Sequence, residues 1–210
     1  MVDTTTLRTR LRKARIVPVL TVERIEDAAP MAQALEAGGL QAIEVTLRTP
    51  VALDALKAMK EATPDLLVGA GTILSEGDVD AALLSGADFL VSPGASPTLI
   101  SAMLDRDTIS IPGVATATEA MTRFDEGFDI LKLFPAAPVG GVSLLKSLAG
   151  PMPHLDFMPT GGIGLANAPD FLALPNVVAV GGSWLTPKDL VAVGDWSAIT
   201  ERAKAAVALG

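Results

Sequence analysis

Residues 42–72 read AIEVTLRTPVALDALKAMKEATPDLLVGAGT and contain one complete strand–helix–strand unit. Ala42-Thr46 and Leu66-Ala70 are short apolar runs, and Val51-Glu61 between them has helical periodicity. Both runs are apolar at successive positions rather than at every second one, which is typical of strands covered on both faces. The unit therefore predicts a parallel sheet against which helices pack.

The same unit recurs along the chain, and the C-terminal ends of its apolar runs lie about 20 to 26 residues apart. Segments with helical period, such as Ala28-Ala37, separate the runs. Eight units in 210 residues predict an α/β protein with one domain over residues 1–210, a (β/α)8 TIM barrel; a six-stranded, doubly wound open sheet is the alternative. The eight runs are Ile16-Leu20, Ala42-Thr46, Leu66-Ala70, Asp88-Ser92, Ile109-Pro112, Asp129-Phe134, Leu155-Pro159 and Val177-Gly182.

Hydroxyl side chains mark the predicted starts of helices. Thr49-Pro50, Ser96-Pro97 and Thr186-Pro187 each place a capping hydroxyl before a proline suited to the first helical turn. Thr116 with Glu119 fits a capping box, and an acidic first turn follows Ser75.

The first fifteen residues are basic, with Arg8, Arg10, Arg12, Lys13 and Arg15. No apolar h-region follows them, so we expect an N-terminal surface helix over about residues 3–14 rather than a secretory signal. Apolar stretches of five or six residues fall far short of a membrane span, which needs about 20. We therefore expect a cytoplasmic protein.

The composition limits the available chemistry. The chain has no Cys and a single His, which excludes thiolate nucleophiles and argues against a zinc site held by several imidazoles. A net charge of −8 argues against nonspecific nucleic-acid binding, which needs a basic surface. We predict no metal and no cofactor, so an enzyme with this sequence has to work with Lys, Glu, Asp, Arg and hydroxyl groups.

Lys132 differs from the other six lysines because it lies within an apolar, strand-like run. Burial favours the neutral form of an amine, and the neutral amine is the nucleophile that attacks carbonyl carbon. Lys132 is therefore a candidate Schiff-base residue; the alternative is a lysine whose head reaches solvent or pairs with a carboxylate.

Glu44, near the end of the second run, is a candidate general acid/base or the partner of a buried ion pair. Arg48 offers a planar fork for a carboxylate or phosphate, or lies on the surface.

Glycine-rich turns follow the last two predicted strands, at Pro159-Thr-Gly-Gly-Ile163 and Gly181-Gly-Ser183. In barrels the loops after strands seven and eight often form a phosphate site, since glycine lets backbone N–H groups approach an anion. Thr72 ends a similar turn after the third strand. His154 precedes the seventh strand, at the opposite mouth, and is predicted to be structural.

These motifs together resemble the 2-keto-3-deoxy-6-phosphogluconate (KDPG) and 4-hydroxy-2-oxoglutarate (KHG) aldolase family, in order across nearly the whole chain. The segments that carry the resemblance include Ile43-Glu-Val-Thr-Leu-Arg-Thr49, Val68-Gly-Ala-Gly-Thr72, Leu131-Lys-Leu-Phe-Pro-Ala136, Met158-Pro-Thr-Gly-Gly-Ile163 and Gly181-Gly-Ser-Trp184. The resemblance implies a class I, metal-independent aldolase that forms homotrimers and cleaves a phosphorylated 2-keto-3-deoxy sugar acid to pyruvate and D-glyceraldehyde 3-phosphate.

The resemblance also implies residue roles. Lys132 would form the Schiff base and Glu44 would be the general acid/base. Pro93 and Phe134 would pack around the enamine. The residues that would orient the carboxylate end are Arg48, Thr72 and Thr160, and those that would hold the phosphate are Gly161, Gly162, Gly182 and Ser183.

The sequence departs from the family pattern at a few positions, where Leu131, Ala137 and the segment Asp156-Phe-Met stand. Ala137 removes a carboxylate from the loop after the sixth strand, which leaves substrate preference open. The phosphogalactonate epimer and 4-hydroxy-2-oxoglutarate are therefore alternative substrates. From another class, a phosphate-sugar isomerase or epimerase would use Glu44 as its base, and a non-catalytic sugar-phosphate-binding or protein-binding barrel is a third hypothesis.

Overall fold

The structure is a computed structural model that describes residues 5–106 and 108–209, in which short strands alternate with helices. The strands are β1 (Ile16–Leu20), β2 (Ala42–Thr46), β3 (Leu67–Gly71), β4 (Phe89–Val91), β5 (Ser110–Ile111), β6 (Gly113–Val114), β7 (Ile130–Leu133), β8 (Asp156–Phe157) and β9 (Val180–Gly182). The helices are α1 (Thr5–Ala14), α2 (Ala28–Ala37), α3 (Ala52–Ala62), α4 (Glu76–Leu84), α5 (Pro97–Asp105), α6 (Ala117–Asp125), α7 (Gly141–Ala149), α8 (Ala168–Leu172), α9 (Lys188–Val193) and α10 (Trp196–Val207), with a 3-10 turn at Ile25–Asp27.

The strands are parallel and form a six-stranded sheet in the order β5-β4-β3-β2-β1-β9 and a three-stranded sheet in the order β6-β7-β8. From β1 to β5 each strand lies beside its successor in sequence, without the reversal that marks a doubly wound sheet. The fold is therefore α/β, with a parallel sheet that forms a half-barrel.

The two sheets meet at Pro112. The predicted fifth run contains β5 alone, and β6 follows immediately after the proline. Proline has no N–H group to donate to a strand ladder, but the Pro112 carbonyl accepts a hydrogen bond from the Lys132 N–H group at 2.9 Å. At the other edge, isolated parallel bridges join Phe157 to Val177 and Thr160 to Gly181.

Both faces of the strands are buried, as the apolar runs predicted. One set of strand residues, including Ile43, Val45 and Val68, belongs to a cluster with the surrounding helices. Alternate residues, including Val17 and Phe89, belong to a second cluster. The period-two alternation of strand side chains explains this division between a helix-facing and an interior-facing core.

The N-terminal helix is amphipathic, and α1 begins at Thr5 in the described part of the chain; residues 3 and 4 of the predicted helix lie outside it. Its buried Leu7 and Leu11 join the interior-facing core. Arg8 and Arg12 both bind the Asp156 carboxylate of β8, each at 2.7 Å. The helix therefore covers the end of the interior from which the strands start. Within the described ranges, no helix is long and apolar enough to cross a membrane.

The capping predictions are correct at three helices. Ser75 and Thr116 form capping boxes, and the Ser96 hydroxyl accepts the Leu99 N–H group before Pro97. They are wrong at two helices. Thr49 donates its hydroxyl to the Val22 carbonyl and α3 begins three residues later, while the residue before α9 is Pro187 rather than Thr186.

The capping box of α6 gives a pH-dependent contribution to stability. The Ala115 N–H group donates to the Glu119 carboxylate at 2.8 Å, and the Thr116 N–H and hydroxyl groups each donate at 2.9 Å. Hydrogen bonds to the ionised form lower the pKa of Glu119, the Ala115 N–H bond most strongly. Because its pKa is lower in the folded state, Glu119 stabilises the fold above its unfolded-state pKa, and this stability is lost as the pH falls through the folded-state value.

We therefore expect Glu119→Gln to lower the free energy of unfolding at pH 7, and the difference from the parent chain to shrink between pH 5 and pH 3, the range given by the carboxyl pKa of about 4.3. Urea unfolding followed by circular dichroism at several pH values measures this difference. A difference that stays constant over that range would contradict the assignment.

Candidate active site

A buried ion pair joins the two sheets. Lys132 of β7 donates from Nζ to Glu44 Oε1 of β2 at 3.1 Å, and their side chains are 3% and 0% exposed. The sequence left Lys132 open between a Schiff-base residue and a lysine whose head reaches solvent or pairs with a carboxylate, and the structure shows it buried and paired with the Glu44 carboxylate. The two residues that the sequence predicted to act together are in direct contact.

Burial of this pair is costly, because desolvation of each charge removes several kcal/mol of hydration. The second carboxylate oxygen, Glu44 Oε2, is buried and has no hydrogen-bond partner in the described part of the chain. Buried polar atoms without a partner are rare in proteins, and each calls for an explanation such as a catalytic role or a bound water. Glu44 therefore has one oxygen engaged by the amine and one available as an acceptor.

Lys132 forms part of the wall of a cavity of about 450 Å³ that opens at the carboxyl ends of the strands. The Phe134 ring lies beside the amine, with Nζ 5.3 Å from the ring centroid, which is a cation–π distance. The lining residues are Val19, Thr21, Arg48, Lys132, Phe134, Thr160, Gly161, Gly162, Ile163, Gly182, Ser183, Thr186, Pro187 and Lys188. The cavity is large enough for a small sugar acid.

Another part of the cavity wall is formed by backbone N–H groups. Gly161 and Gly162 have φ angles of 101° and 75°, a left-handed conformation that favours glycine. The N–H groups of Gly161, Gly162 and Ile163 donate to no other described residue. Successive free N–H groups in such a turn form a concave site for an anion. Ser183, in the loop after β9, is exposed and lines the same cavity.

Thr160 lies between the lysine and this turn. Its side chain is 6% exposed, and its hydroxyl is buried without a partner among the described residues. Thr160 pairs with Gly181, where an added side chain would collide with the hydroxyl. The hydroxyl is thus placed in the cavity wall as a free donor and acceptor.

Arg48 is held at the mouth of the cavity by a strained neighbour. Its Nε donates to the Thr72 hydroxyl at 2.9 Å. Thr72 has a φ of 61°, which is an outlier for a β-branched residue and costs about 1–3 kcal/mol. Strain of this kind persists where the surrounding structure holds it, often at a binding site. Arg48 and the exposed Lys188 give the mouth two cations in a chain of net charge −8.

Not every predicted residue contacts this cavity. Glu44 and Thr72 lie outside its lining and contact lining residues instead, Lys132 and Arg48 respectively. Pro93 also lies outside the lining, where its carbonyl packs against Gly113. His154 is at the opposite end, as predicted, and its ring lies 4.0 Å from that of Phe124.

The sequence prediction missed Thr21 and Lys188, which also line the cavity. Thr21 follows β1 directly, so its place at the carboxyl end of a strand is a signal that could have found it.

Chemically, the site combines a buried amine for a carbonyl group, a carboxylate for proton transfer and an anion site for a distal charge. A parallel α/β fold that carries these groups at the carboxyl ends of its strands has the arrangement of a lysine-dependent enzyme for an anionic keto acid.

Comparison with known proteins assigns the family. The family model for KDPG and KHG aldolases matches residues 7–202. The 2-dehydro-3-deoxy-phosphogluconate aldolase of Pseudomonas aeruginosa is 45% identical over 97% of this chain and 93% of its own length. The chain belongs to the KDPG and KHG aldolase family.

Two solved structures share the fold along nearly the whole chain. KDPG aldolase of Zymomonas mobilis with 3-phosphoglycerate has a TM-score of 0.92 at 43% identity and covers 99% of this chain and 98% of its own. KDPG aldolase of Legionella pneumophila, with pyruvate captured as a covalent carbinolamine, has a TM-score of 0.91 at 41% identity and covers 94% of this chain and 96% of its own. Family membership favours the aldolase hypothesis over the isomerase and the non-catalytic alternatives.

The strained contact at Thr72 is tested by two substitutions. Thr72→Ala and Thr72→Gly both remove the hydroxyl that holds Arg48, so we expect both to raise KM for the carboxylate substrate by a similar factor. Glycine tolerates a positive φ, whereas alanine is strained by it. We therefore expect Thr72→Gly to be the more stable variant, with a free energy of unfolding about 1 kcal/mol above that of Thr72→Ala. Urea unfolding and steady-state kinetics measure the two effects. Equal stabilities would show that φ at this position carries no strain.

Proposed function

We propose that this protein is a class I aldolase that reversibly cleaves 2-dehydro-3-deoxy-6-phospho-D-gluconate to pyruvate and D-glyceraldehyde 3-phosphate. The observation that carries the proposal is the buried 3.1 Å contact between Lys132 Nζ and Glu44 Oε1, in which Lys132 lines a cavity that is also lined by Gly161, Gly162 and Ile163. Relatives at 41–45% identity bear the name of this aldolase.

The proposed reaction begins as the Lys132 ammonium loses a proton and the resulting neutral amine attacks the C2 ketone. A proton then returns to the carbinolamine hydroxyl, which leaves as water and gives an iminium. Glu44 takes the proton of the C4 hydroxyl, directly or through a water molecule, as the C3–C4 bond breaks. The bonding electrons enter the iminium and form an enamine, and glyceraldehyde 3-phosphate leaves. Glu44 returns its proton to C3, and hydrolysis of the iminium releases pyruvate and restores the Lys132 ammonium.

The remaining groups bind the substrate in this proposal. Arg48 and the Thr72 and Thr160 hydroxyls orient the carboxylate end and the neighbouring oxygens. The phosphate is held by Gly161, Gly162, Gly182 and Ser183. Phe134 packs against the enamine, and Pro93 supports it from beyond the cavity wall. Phosphate binding far from the breaking bond supplies energy that fixes the reacting carbons near the amine.

The proposal includes the closed architecture. We infer one domain in which the two sheets join into a (β/α)8 barrel, supported by the Thr160–Gly181 bridge at one edge and the Lys132–Pro112 hydrogen bond at the other. A homotrimer, implied by the family resemblance, is tested by analytical ultracentrifugation. A cytoplasmic location completes the proposal, since phosphorylated substrates and products do not cross a bilayer.

Lys132 is tested by chemical trapping. Borohydride added with pyruvate should leave a reduced adduct on Lys132, located by peptide mass spectrometry, and Lys132→Ala should abolish both the adduct and turnover. Lys57→Ala is the matched control, because this exposed lysine lies on the outer surface of α3. An adduct on another lysine, or turnover by Lys132→Ala, would refute the Schiff-base assignment.

Substrate choice is tested by a coupled assay of pyruvate release. We expect kcat/KM to be highest for the phosphogluconate substrate, with the phosphogalactonate epimer as the comparison for C4 stereochemistry. For non-phosphorylated 4-hydroxy-2-oxoglutarate we expect kcat/KM to be about 10²-fold lower. This substrate lacks the phosphate and therefore the charged hydrogen bonds to it, which are worth about 1.5–3 kcal/mol each. Ser183→Ala should lower kcat/KM for the phosphorylated substrate and leave that for 4-hydroxy-2-oxoglutarate unchanged. An equal loss on both substrates would remove Ser183 from the phosphate site.

A further inference from the structure

Gly71 ends β3 directly beside the buried ion pair. A Cβ atom placed on Gly71 would lie 2.6 Å from Glu44 Cγ and 2.7 Å from Glu44 Cδ, and closer still to Oε1. We propose that Gly71 is a positioning residue, whose missing side chain leaves the space in which the Glu44 carboxylate lies against Lys132. The inference rests on the proposed aldolase activity and extends it to a residue that does not contact the substrate.

Strand register explains how Glu44 comes to lie over Gly71. In the ladder between β2 and β3, Glu44 is paired with Gly69 and Thr46 with Gly71. The Glu44 side chain therefore extends along the sheet toward the carboxyl ends of the strands, from the level of Gly69 to the level of Gly71. In this direction its carboxylate reaches Lys132, and a side chain at the end of β3 would occupy the same space.

The backbone of β3 has no freedom to retreat from Glu44. The Gly71 carbonyl accepts a hydrogen bond from the Leu47 N–H group at 2.8 Å, and β3 is paired with β2 on one side and with β4 on the other. The Glu44 carboxylate, at the end of a flexible side chain, is the movable partner. An alanine at position 71 would therefore displace the carboxylate from Lys132 rather than displace the strand.

Gly69 provides the matched control, because it lies on the same face of the same strand two residues earlier. A Cβ atom there would lie 2.7 Å from Cδ2 of Phe89 and closer to the next two ring carbons, away from the ion pair. Phe89 is fully buried. The two substitutions therefore add the same methyl group against different neighbours: Gly71→Ala against the carboxylate, Gly69→Ala against an aromatic ring.

The experiment compares the parent chain with its variants in three reactions: pyruvate release, proton exchange of pyruvate and borohydride trapping of pyruvate. Gly71→Ala should lower kcat for pyruvate release by about 10²-fold, the lower range for loss of a general acid/base, with little change in KM. It should also slow exchange of the pyruvate methyl protons with deuterated solvent, followed by NMR. Borohydride should still trap pyruvate on Lys132 to the extent seen in the parent chain. Gly69→Ala should keep kcat and lower the urea midpoint instead.

A double-mutant cycle tests the contact itself. Gly71→Ala should destabilise the chain less in a Glu44→Ala background than in the parent chain, since the colliding carboxylate is then absent. If Gly71→Ala alone does not fold, the double variant should have the same urea midpoint as Glu44→Ala alone. The proposal would be overturned by equal destabilisation in both backgrounds, or by a double variant that is less stable than Glu44→Ala alone. Parent-like kcat in Gly71→Ala, or loss of borohydride trapping, would also overturn it. Failure of the proposed function is distinct: the parent chain and Gly69→Ala would then release no pyruvate.

Discussion

The ion pair between Lys132 and Glu44 is the constraint on which the rest of the structure depends. Its two members come from different sheets, β7 and β2, and meet at 3.1 Å with almost no exposure to solvent. Removal of one partner from such a pair leaves an uncompensated charge, at a cost of about 3–5 kcal/mol. The interior therefore has to hold both strands at a fixed separation, and the apolar side chains below the pair fill the space that makes this possible.

Small residues shape the space around the pair as much as charged ones do. Gly71 leaves room for the carboxylate, Gly181 leaves room for the Thr160 hydroxyl, and Gly161 and Gly162 turn N–H groups into the cavity. Lys132 and the turn at Gly161 and Gly162 are thus separate features of one cavity. This separation allows an enzyme to bind one end of a substrate tightly while the other end undergoes bond cleavage.

The sequence predicts much of this arrangement, because strands buried on both faces appear as apolar runs and a charged residue within such a run is conspicuous. Lys132 and Glu44 could be found in that way. The strand break at Pro112 was harder to predict, since β5 and β6 together have a length that one strand would have. The helix start near Thr49 was wrong because its hydroxyl donates to the Val22 carbonyl, a contact between elements that no local pattern contains. Lys188 was missed because its helix looks like an ordinary surface helix.

The N-terminal helix has a consequence for how the protein tolerates change. Arg8 and Arg12 attach α1 to Asp156, a residue more than 140 positions further along the chain, and Leu7 and Leu11 close the interior from that side. These contacts hold α1 at the end from which the strands start, whereas the loops at the other end carry the cavity. Substitutions in those loops can alter which sugar acid the protein accepts without disturbing the contacts between α1 and β8. New substrate specificities are therefore accessible to this chain through changes far from the end of the interior that α1 covers.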